Sequence, residues 1–301
     1  MYENKLITIL TPTYNRANLL PNLYDSLMAQ EEKNFNWLII DDGSTDDTKN
    51  IVSEFKNDDF PVFYYRKDNG GKHTAINFAM QHIDTPLVII VDSDDLLLPR
   101  ATRIIREYVR KYEDKIKDLC SFAFLRCYEN GSPILELDKD EFISDYPTCR
   151  VKENRPGDMA EVYVTDKLRK FKFPEIRDER FMSEDVVWIS MGIKYKTVYI
   201  NKAIYQGEYL AGGLTANDKP SKFASPIGSM YRGVALMHKE CGIKANIKGA
   251  IIYDCYKIAA RHKYKESAVT KIPGGNALTS LMSPFGIVFY YLWRNEMEKK
   301  E

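Results

Sequence analysis

Residues 6–16 read LITILTPTYNR, an apolar run with β-branched residues that passes directly into a polar segment. A short run of this kind is typical of a strand that is buried on both faces of a parallel sheet. In residues 18–30 the leucines recur at helical spacing, with Pro21 in the first turn, where helices tolerate it. The chain therefore begins with a predicted strand, a polar turn and a helix.

The same alternation continues along the first third of the chain. Further strands are predicted at residues 37–40, 62–65 and 87–91. Ser44 and Asp47 have the spacing of a capping box, which predicts that a helix begins there. Strands that alternate with helices form a mostly parallel sheet with helices on both faces, and ligands bind beyond the carboxyl ends of its strands. We therefore predict a Rossmann-like α/β fold.

Composition narrows the class of protein. A chain of 301 residues, with 44% hydrophobic and 29% charged residues, is globular and can hold one α/β core and an appendage. Its net charge of zero gives no overall preference for nucleic acid. The five scattered cysteines contain no C-x-x-C pair, which argues against a disulfide scaffold or zinc site and favours the reducing cytoplasm. The first apolar run is too short for a signal peptide.

Three carboxylates, Asp92, Asp94 and Asp95, lie within four residues directly after the strand at 87–91. They repel one another unless a cation or a hydrogen-bond network compensates their charge. Mg²⁺ and Mn²⁺ bind one or two carboxylates together with substrate phosphates, so the cluster suits a diphosphate ligand. The alternative is an acidic turn that caps the helix predicted near Pro99.

Two further residues at strand ends have the chemistry of a nucleotide pocket. Asp42 follows the strand at 37–40, and its carboxylate can accept a hydrogen bond from a pyrimidine N–H. Tyr14 leaves the first strand, and its ring can stack on a base. The alternative for Asp42 is a purely conformational Asp-Gly turn.

These polar segments, in this order and at this spacing, resemble those of the inverting glycosyltransferases of the large second sequence family, which have the GT-A fold. The resemblance rests on residues 11–16, 41–46 and 92–95 and covers roughly residues 5–210. It implies transfer of a sugar, with inversion, from a nucleotide-diphosphate donor, with UDP-sugars favoured, to an acceptor hydroxyl. The acceptor is expected to be a glycan or a lipid-linked molecule in polysaccharide biosynthesis.

Residue roles follow from the same resemblance. Asp94 is the first expected ligand of Mn²⁺ or Mg²⁺, and Asp95 is the second. Asp185, in the acidic pair Glu184-Asp185, matches the general base at the start of a helix. The alternative is that the pair only stabilises the first turn of a helix that Ser183 caps. The expected donor-binding residues are Thr11, Pro12, Tyr14, Arg16, Asp42, Lys72, Asp92 and Ser93.

One position departs from the family pattern. Many relatives have an arginine before the asparagine in the helix after the third strand, whereas this chain has Ile76 before Asn77. Lys72 follows two glycines near a helix N-terminus and offers a positive charge to phosphate. An ordinary solvated lysine is the alternative.

Residues 205–214 resemble the segment that closes over the donor in this family. Their glycines favour mobility, and Tyr205 and Glu208 are the candidate ligands. A plain glycine-rich turn is the alternative.

The last part of the chain, residues 219–301, is predicted to be a helical appendage. The catalytic domain is expected over residues 1–218, with a donor half that ends at about residue 115 and an acceptor half after it. Residues 219–271 hold eleven Lys or Arg against three acidic residues, and residues 284–293 are strongly apolar. Such a segment can lie peripherally at an anionic membrane surface, and the alternative is a helix packed on the catalytic domain.

Three other classes of protein compete with a transferase. A sugar-1-phosphate nucleotidyltransferase would need a glycine-rich, basic loop where this chain has residues 11–16. A dehydrogenase would need a G-x-G-x-x-G motif there. The pair Glu184-Asp185 argues against a non-catalytic module that binds sugar nucleotides, and product formation would distinguish the two.

Overall fold

The computed structural model describes residues 5–56, 58–155, 157–207 and 218–298. In these residues nine strands form one sheet, in the order β3-β2-β1-β4-β8-β6-β9-β5, with β7 paired to β9. The strands are β1 Ile7–Thr13, β2 Phe35–Asp41, β3 Val62–Arg66, β4 Leu87–Ile90, β5 Leu96–Leu97, β6 Leu119–Cys127, β7 Glu141–Ser144, β8 Met159–Val164 and β9 Lys196–Gln206.

Helices accompany the sheet and form most of the C-terminal part. They are α1 Leu20–Met28, α2 Thr48–Glu54, α3 Lys72–Ala79, α4 Ala101–Lys111, α5 Thr165–Leu168, α6 Asp185–Lys194, α7 Asp218–Ala224, α8 Pro226–Leu236, α9 Ile243–Lys263, α10 Glu266–Val269 and α11 Ala277–Glu298. Short 3₁₀ turns lie at Glu113–Asp118 and Lys239–Cys241, and a π-helical turn lies at Pro147–Lys152.

The four strands predicted from apolar runs are confirmed as β1 to β4. β1 pairs in parallel with β2 and β4, and β2 pairs in parallel with β3. Beyond β4 the sheet is mixed, because β8 runs antiparallel to both β4 and β6. The predicted α/β fold is therefore confirmed, and its parallel half places the carboxyl ends of β1, β2 and β4 at one edge.

The capping box predicted from Ser44 and Asp47 is wrong. α2 begins at Thr48, with Asp47 at the N-cap position and no side-chain capping bond. The Ser44 hydroxyl instead accepts a hydrogen bond of 2.9 Å from the backbone N–H of Asn15. A tertiary contact between two loops therefore replaces the local capping geometry.

The core of the sheet unit is largely apolar, and one of its buried polar contacts joins the neighbouring strands β1 and β2. Ile9, Trp37 and Phe122 are fully buried in it. Trp37 also donates a hydrogen bond of 3.0 Å from Nε1 to the hydroxyl of Thr11. Because a buried polar group is costly without a partner, this bond satisfies both side chains and fixes the end of β1 against β2.

The described residues divide into two compact units, of which the first contains the sheet and the second is helical. The first comprises residues 5–145, 155–172 and 194–207, and the second comprises residues 146–154, 173–193 and 218–298. The stretches 146–154 and 173–193 therefore pack with the C-terminal helices. Ile189 of α6 explains this packing, since it is buried in the core of the helical unit.

Glycines allow the helices of the second unit to approach closely. A Cβ added at Gly249 of α9 would lie 2.6 Å from the carbonyl oxygen of Gly233 in α8. A Cβ added at Gly286 of α11 would lie 2.6 Å from the Cβ of Asp254 in α9. Both distances are too short for a side chain, so the two crossings require glycine.

We expect Gly249→Ala to lower the free energy of unfolding by about 1–3 kcal/mol, because the new methyl group meets backbone that cannot turn aside. Gly275→Ala is the matched control in the same unit, since nothing lies within 4 Å of a Cβ added there. Urea denaturation measures both variants. Equal midpoints for the two would contradict the close crossing of α8 and α9.

Asp254 is a buried carboxylate in the same helical unit. Its Oδ2 atom has no hydrogen-bond partner among the described residues. Burial raises the pKa of Asp254 to about 6, although Lys257 opposes the shift. The ionised form is therefore disfavoured in the folded state.

This raised pKa predicts a pH dependence of stability. Because the folded-state pKa lies above the unfolded value of 3.8, the contribution to stability is present below that value and is lost as the pH rises through about 6. Relative to Asp254→Asn, the wild type should lose about 1–3 kcal/mol of unfolding free energy between about pH 4 and about pH 7. Urea titrations over this range measure the difference, and a constant difference would refute the assignment.

Candidate functional site

Three polar segments meet at the edge of the sheet where parallel strands end. Thr13, the last residue of β1, pairs with Asp41, the last residue of β2. On the other side, the N–H of Val91 donates 2.9 Å to the carbonyl of Leu10 in β1, so Asp92 follows directly beside that strand. The predicted convergence of the three segments is therefore present in the structure.

The loops after β1 and β2 hold one another in place through Asn15. Asn15 has a positive φ of 52°, which Asn tolerates better than most residues. Its Oδ1 accepts a hydrogen bond of 2.7 Å from the N–H of Thr45. The neighbouring Tyr14 side chain is 42% exposed, so its ring is accessible to a ligand.

The other residues predicted in the first segment are less accessible. Thr11 and Pro12 are buried, and the Thr11 hydroxyl is committed to Trp37. Arg16 is half-buried, and its Nη1 donates 3.4 Å to the carbonyl of Asn15. Of this segment, only the ring of Tyr14 is strongly exposed at the edge.

Asp42 is buried and anchors the loop before α3. Its carboxylate accepts hydrogen bonds from Lys67 Nζ at 2.7 Å, the N–H of Gly70 at 3.0 Å and the N–H of Gly71 at 2.6 Å. Three donors therefore already occupy the carboxylate expected to bind a base. Sequence reasoning missed Lys67, whose ion pair gives Asp42 a structural role as well.

The preceding Asp41 shapes the turn that Asp42 enters. Its Oδ1 accepts 2.7 Å from the N–H of Ser44, and its Oδ2 accepts 2.5 Å from the hydroxyl of Tyr64. Burial and the bond to Asp41 raise the pKa of Tyr64, so the phenol stays protonated as a donor. The Asp-Gly turn is therefore a rigid element of the edge.

Two of the three clustered carboxylates are neutralised by cations of the chain. Lys72 Nζ lies 2.6 Å from Asp92 Oδ1, and Arg126 Nη2 lies 2.5 Å from Asp95 Oδ2. Asp94 lies between them, half-buried. Among the described residues, no hydrogen bond or ion pair engages its carboxylate. Asp94 is thus the carboxylate available to a ligand, whereas Ser93 is buried.

Asp95 is held from a second direction by Tyr205. The Tyr205 hydroxyl donates 2.7 Å to Asp95 Oδ2, and it also accepts 3.1 Å from the N–H of Asp92. The guanidinium of Arg126 stacks over the Tyr205 ring, with Cζ 4.3 Å from the ring centre. These contacts form a buried network of Asp95, Arg126 and Tyr205, called here the Asp95 network.

The titration behaviour of the cluster follows from this arrangement. Burial raises the pKa of Asp95 to about 6, against the influence of Arg126. Burial also acts to raise the pKa of Asp92, but the ammonium of Lys72 outweighs it and lowers that pKa. Burial raises the pKa of Tyr205 well above its usual value, so Tyr205 stays protonated.

The chemistry of the cluster fits a divalent ion whose coordination shell is completed by phosphate oxygens. Among the described residues, no group of three His, Cys, Asp or Glu side chains could enclose a metal. Mg²⁺ and Mn²⁺ accept one or two carboxylates together with phosphate oxygens. Asp94 fits this pattern, whereas Asp95, the second expected ligand, already accepts from Arg126 and Tyr205.

Arg126 is a site residue that sequence reasoning missed. It lies near the end of β6, in the mostly apolar run LCSFAFLRC. A charged residue inside a buried strand rarely occurs without a partner, and this was the one available signal. Gly207 lies against the carboxylate of Asp95. A Cβ added at Gly207 would lie 2.3 Å from Asp95 Oδ1, so this contact leaves no room for a side chain.

The predicted closing segment lies mostly outside the described residues. Tyr205 belongs to β9 and is buried in the Asp95 network rather than exposed on a loop. Glu208, with the stretch 208–214, falls outside the described part of the chain. The predicted role of the segment stays a prediction.

In the helical unit, Asp185 begins α6 and is held by an arginine from α8. Arg232 Nε donates 2.8 Å to Asp185 Oδ2. Asp185 Oδ1 is buried without a hydrogen-bond partner among the described residues. A carboxylate with one oxygen oriented and the other unengaged can accept a proton. Glu184 precedes it and is half-buried.

Arg232 also lines a small pocket within the helical unit. Ser183 and Lys222 contribute polar groups to this pocket, and Phe181 and Trp293 contribute aromatic surface. The sequence did not single out Arg232, since it lies 47 residues from Asp185 in the chain. Lys222 and the apolar surface of the pocket therefore lie near Arg232, which pairs with Asp185.

Comparison with known proteins agrees with this architecture. Residues 8–131 match the model of the family described as glycosyl transferase family 2. GalNAc(5)-diNAcBac-PP-undecaprenol beta-1,3-glucosyltransferase of Campylobacter jejuni is 27% identical over 206 residues, which are 65% of this chain and 62% of that protein. The chain spans 32%, 35% and 35% of the length of three other bacterial glycosyltransferases that it matches.

Solved structures share the fold. S. aureus TarS 1-349, in complex with UDP-GlcNAc, has a TM-score of 0.64 at 15% identity, covering 96% of this chain and 81% of that chain. The mannosyltransferase PcManGT from Pyrobaculum calidifontis, in complex with GDP-Man and Mn²⁺, has a TM-score of 0.57 at 15% identity, covering 98% and 83%. Residues 8–131 of this chain are therefore similar to glycosyl transferase family 2, and the shared architecture shows that the chain has the GT-A fold.

Proposed function

We propose that this protein is a metal-dependent, inverting glycosyltransferase that moves a sugar from a nucleotide-diphosphate donor to an acceptor hydroxyl. The observation that carries the proposal is the edge of the sheet where β1, β2 and β4 end, within the region that matches the family. That edge presents an exposed aromatic ring, a rigid polar turn and one carboxylate that has no partner among the described residues. A base, a ribose and a metal-bound diphosphate require groups of these kinds.

A UDP-sugar is the favoured donor. Tyr14 would stack on the base, and Asp42 would receive its N–H, with Lys67 and the loop of Gly70 and Gly71 holding the carboxylate in place. Asp92, which pairs with Lys72, would contact the ribose, and Lys72 would face the phosphate oxygens. Support for a nucleotide sugar comes from the UDP-GlcNAc and GDP-Man complexes of the two structural relatives.

Asp94 is proposed as the protein ligand of Mn²⁺ or Mg²⁺. When bound, the ion would neutralise the charge that develops on the diphosphate leaving group. The Asp95 network keeps Asp94 in place, because Asp95 is fixed by Arg126 and Tyr205 at the next position of the chain. Lys72 adds a positive charge beside the cluster, where it can meet a phosphate.

Asp185 is proposed as the general base. Arg232 orients its Oδ2, which leaves Oδ1 to accept the proton of the attacking hydroxyl. The hydroxyl oxygen bonds to the anomeric carbon as the bond from that carbon to the diphosphate oxygen breaks. Because attack comes from the face opposite the leaving group, the configuration inverts.

The acceptor is proposed to be a glycan or a lipid-linked molecule in polysaccharide biosynthesis. The support is the Campylobacter jejuni relative, whose name contains an undecaprenol-linked saccharide. Lys222 and Arg232 of the pocket in the helical unit would suit an acceptor that carries an anionic group nearby.

We expect Asp94→Asn to weaken Mn²⁺-dependent binding of UDP by about 10–100-fold, because it removes the carboxylate of the cluster that no other described residue engages. Its unfolding free energy should change little. Asp95→Asn should instead lower the unfolding free energy by about 3–5 kcal/mol, since it leaves the largely buried Arg126 without its charge partner. Calorimetric titration and urea denaturation measure the two effects.

The control for both variants is Asp114→Asn, which removes an exposed carboxylate outside the cluster. It should bind UDP and unfold as the wild type does. If Asp94→Asn bound UDP and Mn²⁺ normally, the assignment of the metal ligand would fail.

We expect Asp185→Asn to reduce turnover of the donor by at least about 100-fold while leaving the Kd of the donor unchanged, because only proton abstraction is removed. Release of UDP, by transfer or by slow hydrolysis, measures turnover. Glu266→Gln is the matched control, since Glu266 begins α10 and also pairs with an arginine, Arg261. Turnover of Asp185→Asn equal to that of the control would eliminate Asp185 as the base.

A further inference from the structure

The outward face of α11 exposes a stripe of apolar side chains. Leu281, Phe285, Val288 and Leu292 are 52–67% exposed. Their spacing of four, three and four residues places them on one side of the helix. The other side packs, since Tyr290 is buried and Gly286 lies against α9. α11 is therefore anchored to the helical unit by one face and presents an apolar stripe on the other.

The sequence around the stripe is free of charge. Residues 272–293 contain no charged side chain, and Lys271 and Arg294 stand at the two ends. Ile287 and Tyr291, beside the stripe, are also exposed. Exposed helix faces of globular proteins normally carry charged or polar residues, so this face is suited to an apolar surrounding.

The length and packing of α11 suit binding at a membrane surface rather than crossing the bilayer. In residues 5–56, 58–155, 157–207 and 218–298, no helix combines the length and the hydropathy needed to cross a bilayer. A helix that is held to a folded unit by one face can lie in the plane of a membrane and bury the opposite face in it. Tyr291 contributes the aromatic group that prefers the boundary between lipid and water.

The positive charge of the helical unit indicates which partner binds the apolar stripe of α11. Residues 219–271 hold eleven Lys or Arg against three acidic residues, and Lys244, Lys248 and Lys271 are exposed. A second copy docked through the same face would bring two basic units together, which is electrostatically unfavourable. Anionic lipid headgroups attract basic residues near a membrane, and the lipid chains can bury apolar side chains. An anionic membrane therefore suits both the apolar stripe and the basic residues of the helical unit.

We propose that α11 binds the surface of an anionic membrane through the stripe of Leu281, Phe285, Val288 and Leu292. The basic residues of the helical unit add electrostatic attraction to this contact. The binding is independent of the catalytic roles proposed above, because none of these side chains belongs to the site at the sheet edge or contacts Asp185.

Vesicle flotation of the whole chain tests the proposal. The chain should float with vesicles of phosphatidylcholine mixed with phosphatidylglycerol, and less with phosphatidylcholine alone or at high salt. The double variant Leu281→Gln/Phe285→Gln should partition about 10–100-fold more weakly. Phe63→Gln/Ile143→Gln is the matched control, because it removes two exposed apolar side chains from the sheet unit, and it should float like the wild type.

Circular dichroism checks that both double variants keep the fold, and sedimentation gives the oligomeric state. Failure of the wild type to float with anionic vesicles would overturn the proposal, and a dimer that Leu281→Gln/Phe285→Gln dissociates would identify a second copy as the occupant. Equal flotation of this variant and the wild type would also overturn it. Donor turnover in solution is a separate readout, so these outcomes leave the proposed transferase activity untouched.

Discussion

Repulsion among the carboxylates of Asp92, Asp94 and Asp95 is the constraint on which the rest of the site depends. Two cations from other parts of the chain reduce this repulsion. They are Lys72 at the start of α3, which pairs with Asp92, and Arg126 near the end of β6, which pairs with Asp95. Because these cations neutralise the outer two members of the cluster, the middle carboxylate is left for a ligand. The proposed metal and diphosphate would need this arrangement, in which two carboxylates are neutralised by the protein and one is left unengaged by the described residues.

The sheet makes that arrangement possible by bringing strand ends together. β1 lies between β2 and β4, so the loops after these three strands share one edge. Asn15 and Asp42 then fix the loops through hydrogen bonds to neighbouring backbone N–H groups. A preorganised edge loses little conformational freedom when a ligand binds, which favours both affinity and correct positioning.

Much of this architecture could be predicted from the sequence because it depends on patterns among residues that are close together in the chain. The strands β1 to β4 are buried apolar runs, and the polar segments that follow them are recognisable as local motifs. The engagement of Asp95 by protein side chains could not be predicted, because its partners Arg126 and Tyr205 lie on β6 and β9, far from it in the sequence. The same holds for Arg232, whose bond to Asp185 joins two helices, and for Ser44, whose hydroxyl bonds Asn15 instead of capping α2.

The most direct test of the central claim is a crystal of the whole chain grown with UDP and Mn²⁺ and measured for anomalous scattering from manganese. The ion is expected beside the carboxylate of Asp94 and the diphosphate, with the ion pair between Asp95 and Arg126 intact and the base near Tyr14. An ion bound by Asp95 in place of Arg126, or UDP bound away from the ends of β1, β2 and β4, would contradict the claim.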